Sequence, residues 1–120
     1  MTKKENQIVD LSLEFSLKII EFSELLEDQR KFVIARQILR SGTSIGANIN
    51  EAQNAESRAD FIHKLKISAK EADETEYWVK LCEKADSYPN PEGLLEMLLS
   101  IQKLLSKIIH STKQNNQQIK

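Results

Sequence analysis

The chain has 120 residues, a mass of 13.8 kDa, a net charge of -1 and a pI near 6.1. That length fits one domain with a core large enough to fold alone, and the charge argues against an all-over basic surface for nucleic acid. Hydrophobic residues make up 40% and charged residues 29%, an ordinary soluble balance, while three Gly and two Pro exclude a fold rich in short strands and turns and point to a few long helices.

The chain opens on Met1-Thr2-Lys3-Lys4-Glu5-Asn6-Gln7, with no apolar segment behind it of the length a secretory signal needs. No uninterrupted apolar run approaches the ~20 residues that span a bilayer, so a cytoplasmic protein with no membrane partner is expected. A first helix is predicted from about Asn6 to Glu27, where Ile8, Leu11, Phe15, Ile19, Phe22 and Leu26 recur at steps of three and four. Its outer face carries Leu13, Leu17 and Ile20. The polar cluster Glu27-Asp28-Gln29-Arg30-Lys31 interrupts the stripe and forms the first joint.

The second helix is predicted from near Arg30 to about Ala55. Ala35, Ile38, Gly42, Ile45, Ile49 and Ala52 fall on one seam of it. Gly42 and Gly46 would each cost about 1 kcal/mol relative to Ala in an exposed helix, so their presence implies close packing against a neighbour. Ser57 is the N-cap of a third helix, with Asp60 as the acidic member of a capping box. Phe61, Leu65, Ser68, Ala72, Thr75, Val79 and Cys82 then alternate by four and three, a heptad seam with small or polar residues at its middle. The expectation is that this seam meets the glycine-bearing seam of the second helix at short distance. A polar pair there, Glu71 and Thr75 with Asn48 or Ser44, would fix the register. Cys82, the single cysteine, is predicted to be a buried and unreactive thiol.

Ser87-Tyr88-Pro89-Asn90-Pro91-Glu92 is the clearest break. Asn90 as N-cap, Pro91 at N1 and Glu92 at the positive end of the dipole start a fourth helix that is expected to reach about Thr112. Its apolar residues, among them Leu95, Leu99 and Ile109, spread over roughly 220°, about twice what the corner of a bundle needs. The surplus predicts a subunit interface. Residues 113–120 are polar and aperiodic and are expected to be a disordered tail, leaving 1–112 as the folded unit. Four long helices with short joints give an all-α fold, an antiparallel up-down-up-down four-helix bundle.

Two segments carry a family resemblance. They are Leu39-Arg40-Ser41-Gly42-Thr43-Ser44-Ile45-Gly46-Ala47-Asn48-Ile49-Asn50-Glu51-Ala52 and the run from Ala59 to Trp78, which contains Lys70-Glu71-Ala72-Asp73-Glu74-Thr75-Glu76-Tyr77-Trp78. Over about half its length the chain resembles the four-helix bundle proteins encoded in intervening sequences of bacterial large-subunit ribosomal RNA. Ala52 departs from the pattern, since many members have Gly after the Glu. The resemblance implies a bundle with no established enzymatic activity. It also extends to the accessory variability proteins of diversity-generating retroelements, which form pentameric rings, bind nucleic acid and partner a reverse transcriptase. Those relatives are strongly basic and this chain is not.

Chemistry is sparse. Asp60 and His63 have the spacing of a carboxylate–histidine pair, but a di-iron bundle needs a second such pair, and Lys107 precedes His110 where the acid would stand. No metal and no cofactor are therefore expected. Glu71, Glu74 and Glu76 sit at helical spacing from Lys66, Lys70 and Lys80 and read as a solvated charge network. No nucleophile–base pair, phosphate loop or Cys/His cluster occurs, so no enzymatic activity is expected. Arg30, Lys31, Arg36, Arg40 and Arg58 concentrate on the second helix and its exit. Either they contact an RNA or DNA backbone, or Arg36 and Arg40 pair with acids of the first or third helix; the second is favoured, because no aromatic residues are interleaved for base stacking. The preferred function is a self-assembling adaptor or assembly module, with a nucleic-acid-binding accessory protein as the alternative. A homo-oligomer is expected, a pentamer by resemblance, through Leu13, Leu17, Ile20, Tyr77, Trp78, Leu95, Leu99 and Ile109. Any further protein partner is unidentified.

Overall fold

The computed structural model describes residues 2–119 and contains four helices, α1 (Lys3–Asp28), α2 (Phe32–Ala52), α3 (Arg58–Lys84) and α4 (Leu94–Ile119). Helix α1 begins at Lys3, three residues before the expected Asn6, because Thr2 and Glu5 form a full capping box. It ends where Arg30 takes a left-handed conformation, φ 65°. There Lys31 N–H donates to the Leu26 carbonyl and Arg30 N–H to that of Glu27, both at 2.8 Å, a Schellman closure. Ser57 caps α3 as expected, accepting from Asp60 N–H at 3.0 Å. The Asp60 carboxylate, however, accepts from Glu56 N–H, one residue before the cap.

Four further boundaries differ from the sequence expectation. Helix α2 is shorter at both ends, Phe32–Ala52 rather than Arg30–Ala55, because Arg30 belongs to the closure of α1. Helix α4 starts at Leu94, and Asn90 does not cap it: Gly93 sits at φ 82°, which no helical residue adopts, so Pro91–Gly93 form a turn closed by Leu94 N–H on the Pro91 carbonyl. At the other end α4 runs to Ile119, beyond the expected helix end near Thr112; Lys120 lies outside the described residues.

Contacts between neighbours run in opposite directions along the chain. Gly42 and Gly46 of α2 meet Ile19 and Ser12 of α1; Ser41 and Ile45 of α2 meet Thr75 and Ser68 of α3; Gln102 of α4 bonds Asp73 and Glu76 of α3. The bundle is thus antiparallel and up-down-up-down, with α1 also against α4. Ile8, Phe15, Ile19, Ile38, Ile45, Ile49, Leu65, Val79, Leu98, Ile101 and Leu105 are fully buried along its axis, each worth about 1.5–3 kcal/mol on burial. The rod measures 55 × 21 × 20 Å.

The glycines pack on the side opposite to that expected. A Cβ on Gly42 would lie 2.9 Å from both Cγ atoms of the fully buried Ile19, and one on Gly46 would lie 3.3 Å from Ser16 Oγ and 3.4 Å from the Ser12 carbonyl. The close crossing is therefore α1 on α2. The α2–α3 seam is held by small hydroxyls instead, with no glycine needed there.

Candidate functional site

The α2–α3 seam carries the best-connected polar groups of the molecule. Ser68 Oγ donates to the Ile45 carbonyl at 2.9 Å. The Thr75 hydroxyl donates to the Glu71 carbonyl at 2.8 Å and shares a hydrogen bond with the Ser41 hydroxyl at 2.9 Å. All three hydroxyl side chains are buried, where a satisfied pair sets register and an unsatisfied one would cost about 1–3 kcal/mol. Asn48 and Ser44 are not part of this pairing; their side chains bond back to Ser44 and Arg40 carbonyls of their own helix, which a helical amide or hydroxyl does when no partner faces it.

Further out, Arg40 spans the seam. Its guanidinium donates to Glu71 at 3.1 Å and also to Glu74, and Glu74 accepts from the Trp78 indole N–H at 3.0 Å. The Trp78 N–H and then the Arg40 guanidinium hold the Glu74 carboxyl below the usual carboxylate range. Glu74 in turn, followed by Glu71, raises Arg40 above the ordinary arginine value. Trp78 is half-buried against the core, with the exposed Tyr77 ring edge-on at 5.3 Å. Lys80 of α3 and Gln102 of α4 similarly depress Glu76.

The five basic residues singled out in the sequence do not come together. Arg40 is engaged by Glu71 and Glu74. Arg36 lies exposed one turn away. Arg30 and Lys31 sit at the α1–α2 joint, with Lys31 4.9 Å from the Tyr88 ring centroid and 3.4 Å from Ser87 Oγ. Arg58 opens α3 at the opposite end, a helix length away.

The exposed apolar side chains are more concentrated. Leu13, Leu17 and Ile20 are 59%, 56% and 40% exposed on the outer face of α1. Leu25, Phe32, Val33, Tyr77, Leu81 and Leu99 are also exposed, and all six lie toward the end of the rod that holds the α1–α2 and α3–α4 joints. The broad apolar arc of α4 is largely covered within the chain: Leu95, Met97, Leu104 and Ile109 are half-buried against the core, and Leu99 alone among the large described apolar residues of α4 is exposed. A corner helix touches two neighbours, so its flanks are covered as well as its centre.

A groove of about 550 Å³ runs between α1 and α4, with Leu11 and Leu104 between Asp10 and Glu14 on one wall and Lys103 and Lys107 on the other. Among the described residues no group of three or more His, Cys, Asp or Glu is placed to hold a metal ion. Cys82 is buried and its thiol is pushed up to about 11 by that burial. No helix of the described residues is long and apolar enough to cross a membrane.

Comparison with known proteins agrees with this picture. Residues 4–110 match the family model described as 23S rRNA-intervening sequence protein. The fold is similar to the crystal structure of a protein of unknown function from the S23 ribosomal protein family of Bacteroides thetaiotaomicron VPI-5482, with 48% identity and a TM-score of 0.84, covering 89% of this chain and 98% of that one. No curated protein matches.

Proposed function

Since the chain belongs to the 23S rRNA-intervening sequence protein family, whose description names no reaction, we propose that it is a non-enzymatic, self-assembling helical bundle that works as an adaptor or assembly module. The observation that carries this is the exposed stripe of Leu13, Leu17 and Ile20 on α1. It has no structural task within the chain, because the opposite face of α1 supplies Ile8, Phe15, Ile19 and Leu26 to the core. Contiguous apolar surface of this kind marks a contact with another protein. Tyr77, Leu81 and Leu99 offer a second, chemically different patch. Two unlike patches suit a heterologous contact, which closes into a ring when the rotation permits; the resemblance to accessory variability proteins suggests five subunits. Nothing in the seam supplies a nucleophile beside a base: the buried hydroxyls are saturated by Ile45 and Glu71 carbonyls.

Light scattering coupled to gel filtration at micromolar concentration tests the proposal. A ring of five has five times the 13.8 kDa chain mass. A single 13.8 kDa species overturns self-assembly, and a dimer retains the interface while rejecting the ring.

A further inference from the structure

The outer surfaces of α1 and α3 repeat with the same period. On α1, Asp10, Leu13, Leu17, Ile20, Glu24 and Glu27 alternate by three and four, and every one of them is exposed. On α3, Lys66, Lys70, Asp73, Tyr77, Lys80 and Lys84 alternate by four and three and are also exposed throughout. Each helix thus carries a second heptad seam away from the core, the spacing at which one helix packs along another. Neither seam covers the other within the chain, since α1 packs on α2 and α4 and no contact joins it to α3 among the described residues. At diagonal corners of the bundle, α1 and α3 turn their seams to opposite sides of the rod.

The two seams are complementary in charge. The α1 seam has an apolar centre, Leu13 to Ile20, with Asp10 before it and Glu24 and Glu27 after it. The α3 seam has Tyr77 beside the exposed Leu81, with Lys66 and Lys70 before them and Lys80 and Lys84 around and after them. Asp10, Glu24 and Glu27 have no ion-pair partner among the described residues, and neither do Lys66, Lys70 and Lys84. Lys80 bonds Glu76 at 2.7 Å, and Asp73, the single acid of the α3 seam, accepts from Gln102 at 3.1 Å.

Their registers also agree. Gly42 packs on Ile19 and the neighbouring Ser41 bonds Thr75, so Ile19 and Thr75 stand at about the same height, and the up-down-up-down order makes α1 and α3 parallel. Asp10 lies nine residues before Ile19, as Lys66 lies nine before Thr75; Glu24 and Lys80 each lie five residues beyond. Equal rise per residue therefore keeps these pairs level. Rotation about an axis along the rods, which closes a contact between unlike faces into a ring, leaves neighbours parallel and at equal height. Between two copies so placed, Asp10 faces Lys66, Ile20 faces Tyr77, Glu24 faces Lys80 and Glu27 faces Lys84. Leu13 lies along the apolar stem of Lys70, and Leu17 opposite Asp73 is the one mismatch.

We propose that the α1 seam of one copy docks on the α3 seam of the next, with the two rods parallel and in register. This rests on the self-assembly proposed above and names the surface that receives α1.

Light scattering on two variants, alone and mixed, tests the pairing. Leu13→Glu with Leu17→Glu removes the α1 seam, and Tyr77→Glu with Leu81→Glu removes the α3 seam. Each variant alone should be a single chain of 13.8 kDa, with circular dichroism showing that it remains folded. An equimolar mixture should form a dimer of twice that mass and nothing larger, because one intact contact remains between the two variants and no third chain can add. A wild type that stays a single chain overturns self-assembly itself. A wild type that assembles, beside a variant that still assembles or a mixture that stays at 13.8 kDa, overturns the seam pairing alone. Charge exchange tests the register without touching an apolar residue: Glu27→Lys should weaken association about fivefold, and adding Lys84→Glu to the same chain should restore it. Loss without restoration overturns the register.

Discussion

At the scale of single residues, two positions sit in tension with their surroundings. Gly42 exists because Ile19 fills the space a Cβ would need, and Ile19 is β-branched and fully buried, so it has little freedom to yield. Gly42→Leu should overpack the α1–α2 crossing and cost roughly 1–3 kcal/mol, read as a lowered thermal midpoint; an unchanged midpoint contradicts the packing described. Arg30 is the reverse case. It holds φ 65° at the position where a Schellman closure favours glycine, and a side chain there costs about 1–2 kcal/mol. Arg30→Gly should therefore raise the stability by about 1 kcal/mol in denaturant unfolding. If that variant is less stable, the Arg30 side chain has a structural role not apparent from its exposed position.

At the scale of elements, the seams were legible and their partners were not. Ala35, Ile38, Ile45, Ile49 and Ala52 on α2 and Leu65, Ser68, Ala72, Thr75, Val79 and Cys82 on α3 are all buried as their spacing implied, while Phe61 at the start of the α3 seam is half-buried. Periodicity gives the buried face of a helix but not which neighbour each residue of that face touches, and so the glycines were matched to α3 instead of α1. The capping box at Thr2 and Glu5 was present as a motif and missed because the apolar stripe begins later. Two carboxylates of α3 held in their charged form also lead to a pH dependence. Glu74 is depressed in the fold by Trp78 and Arg40, and Glu76 by Lys80 and Gln102. A carboxylate with a lowered folded value stabilises above its unfolded value, near 4.3, and loses that contribution as pH falls through the folded one. The melting temperature should hold from about pH 7 to 5 and decline below about pH 4. Trp78 is the one tryptophan of the chain, so its fluorescence reports the site directly. Glu74→Gln should shift that emission at neutral pH and make the acid decline shallower; an identical acid profile in the variant excludes Glu74 as its source.

At the scale of the whole molecule, stability and association are separated in space. The core runs along the axis, and the exposed leucines of α1 lie on the outside of a helix whose inner face is complete. Leu13→Glu with Leu17→Glu should therefore leave helical content and melting nearly intact, within about 0.5 kcal/mol per site, while abolishing any assembly built on that face. Analytical ultracentrifugation of the variant beside wild type measures this. Assembly that survives both substitutions would move the interface to Tyr77, Leu81 and Leu99.

The elongated shape has a hydrodynamic consequence. The radius of gyration is 15.4 Å, whereas a compact chain of this length has roughly 13.6 Å. A 55 Å rod about 20 Å across experiences more friction than a sphere of equal mass, so even a lone subunit elutes ahead of globular standards of its size. Elution volume alone would make one chain look like a larger particle, and its tumbling, faster about the long axis than across it, would give direction-dependent rotational relaxation that distinguishes one rod from a ring of rods.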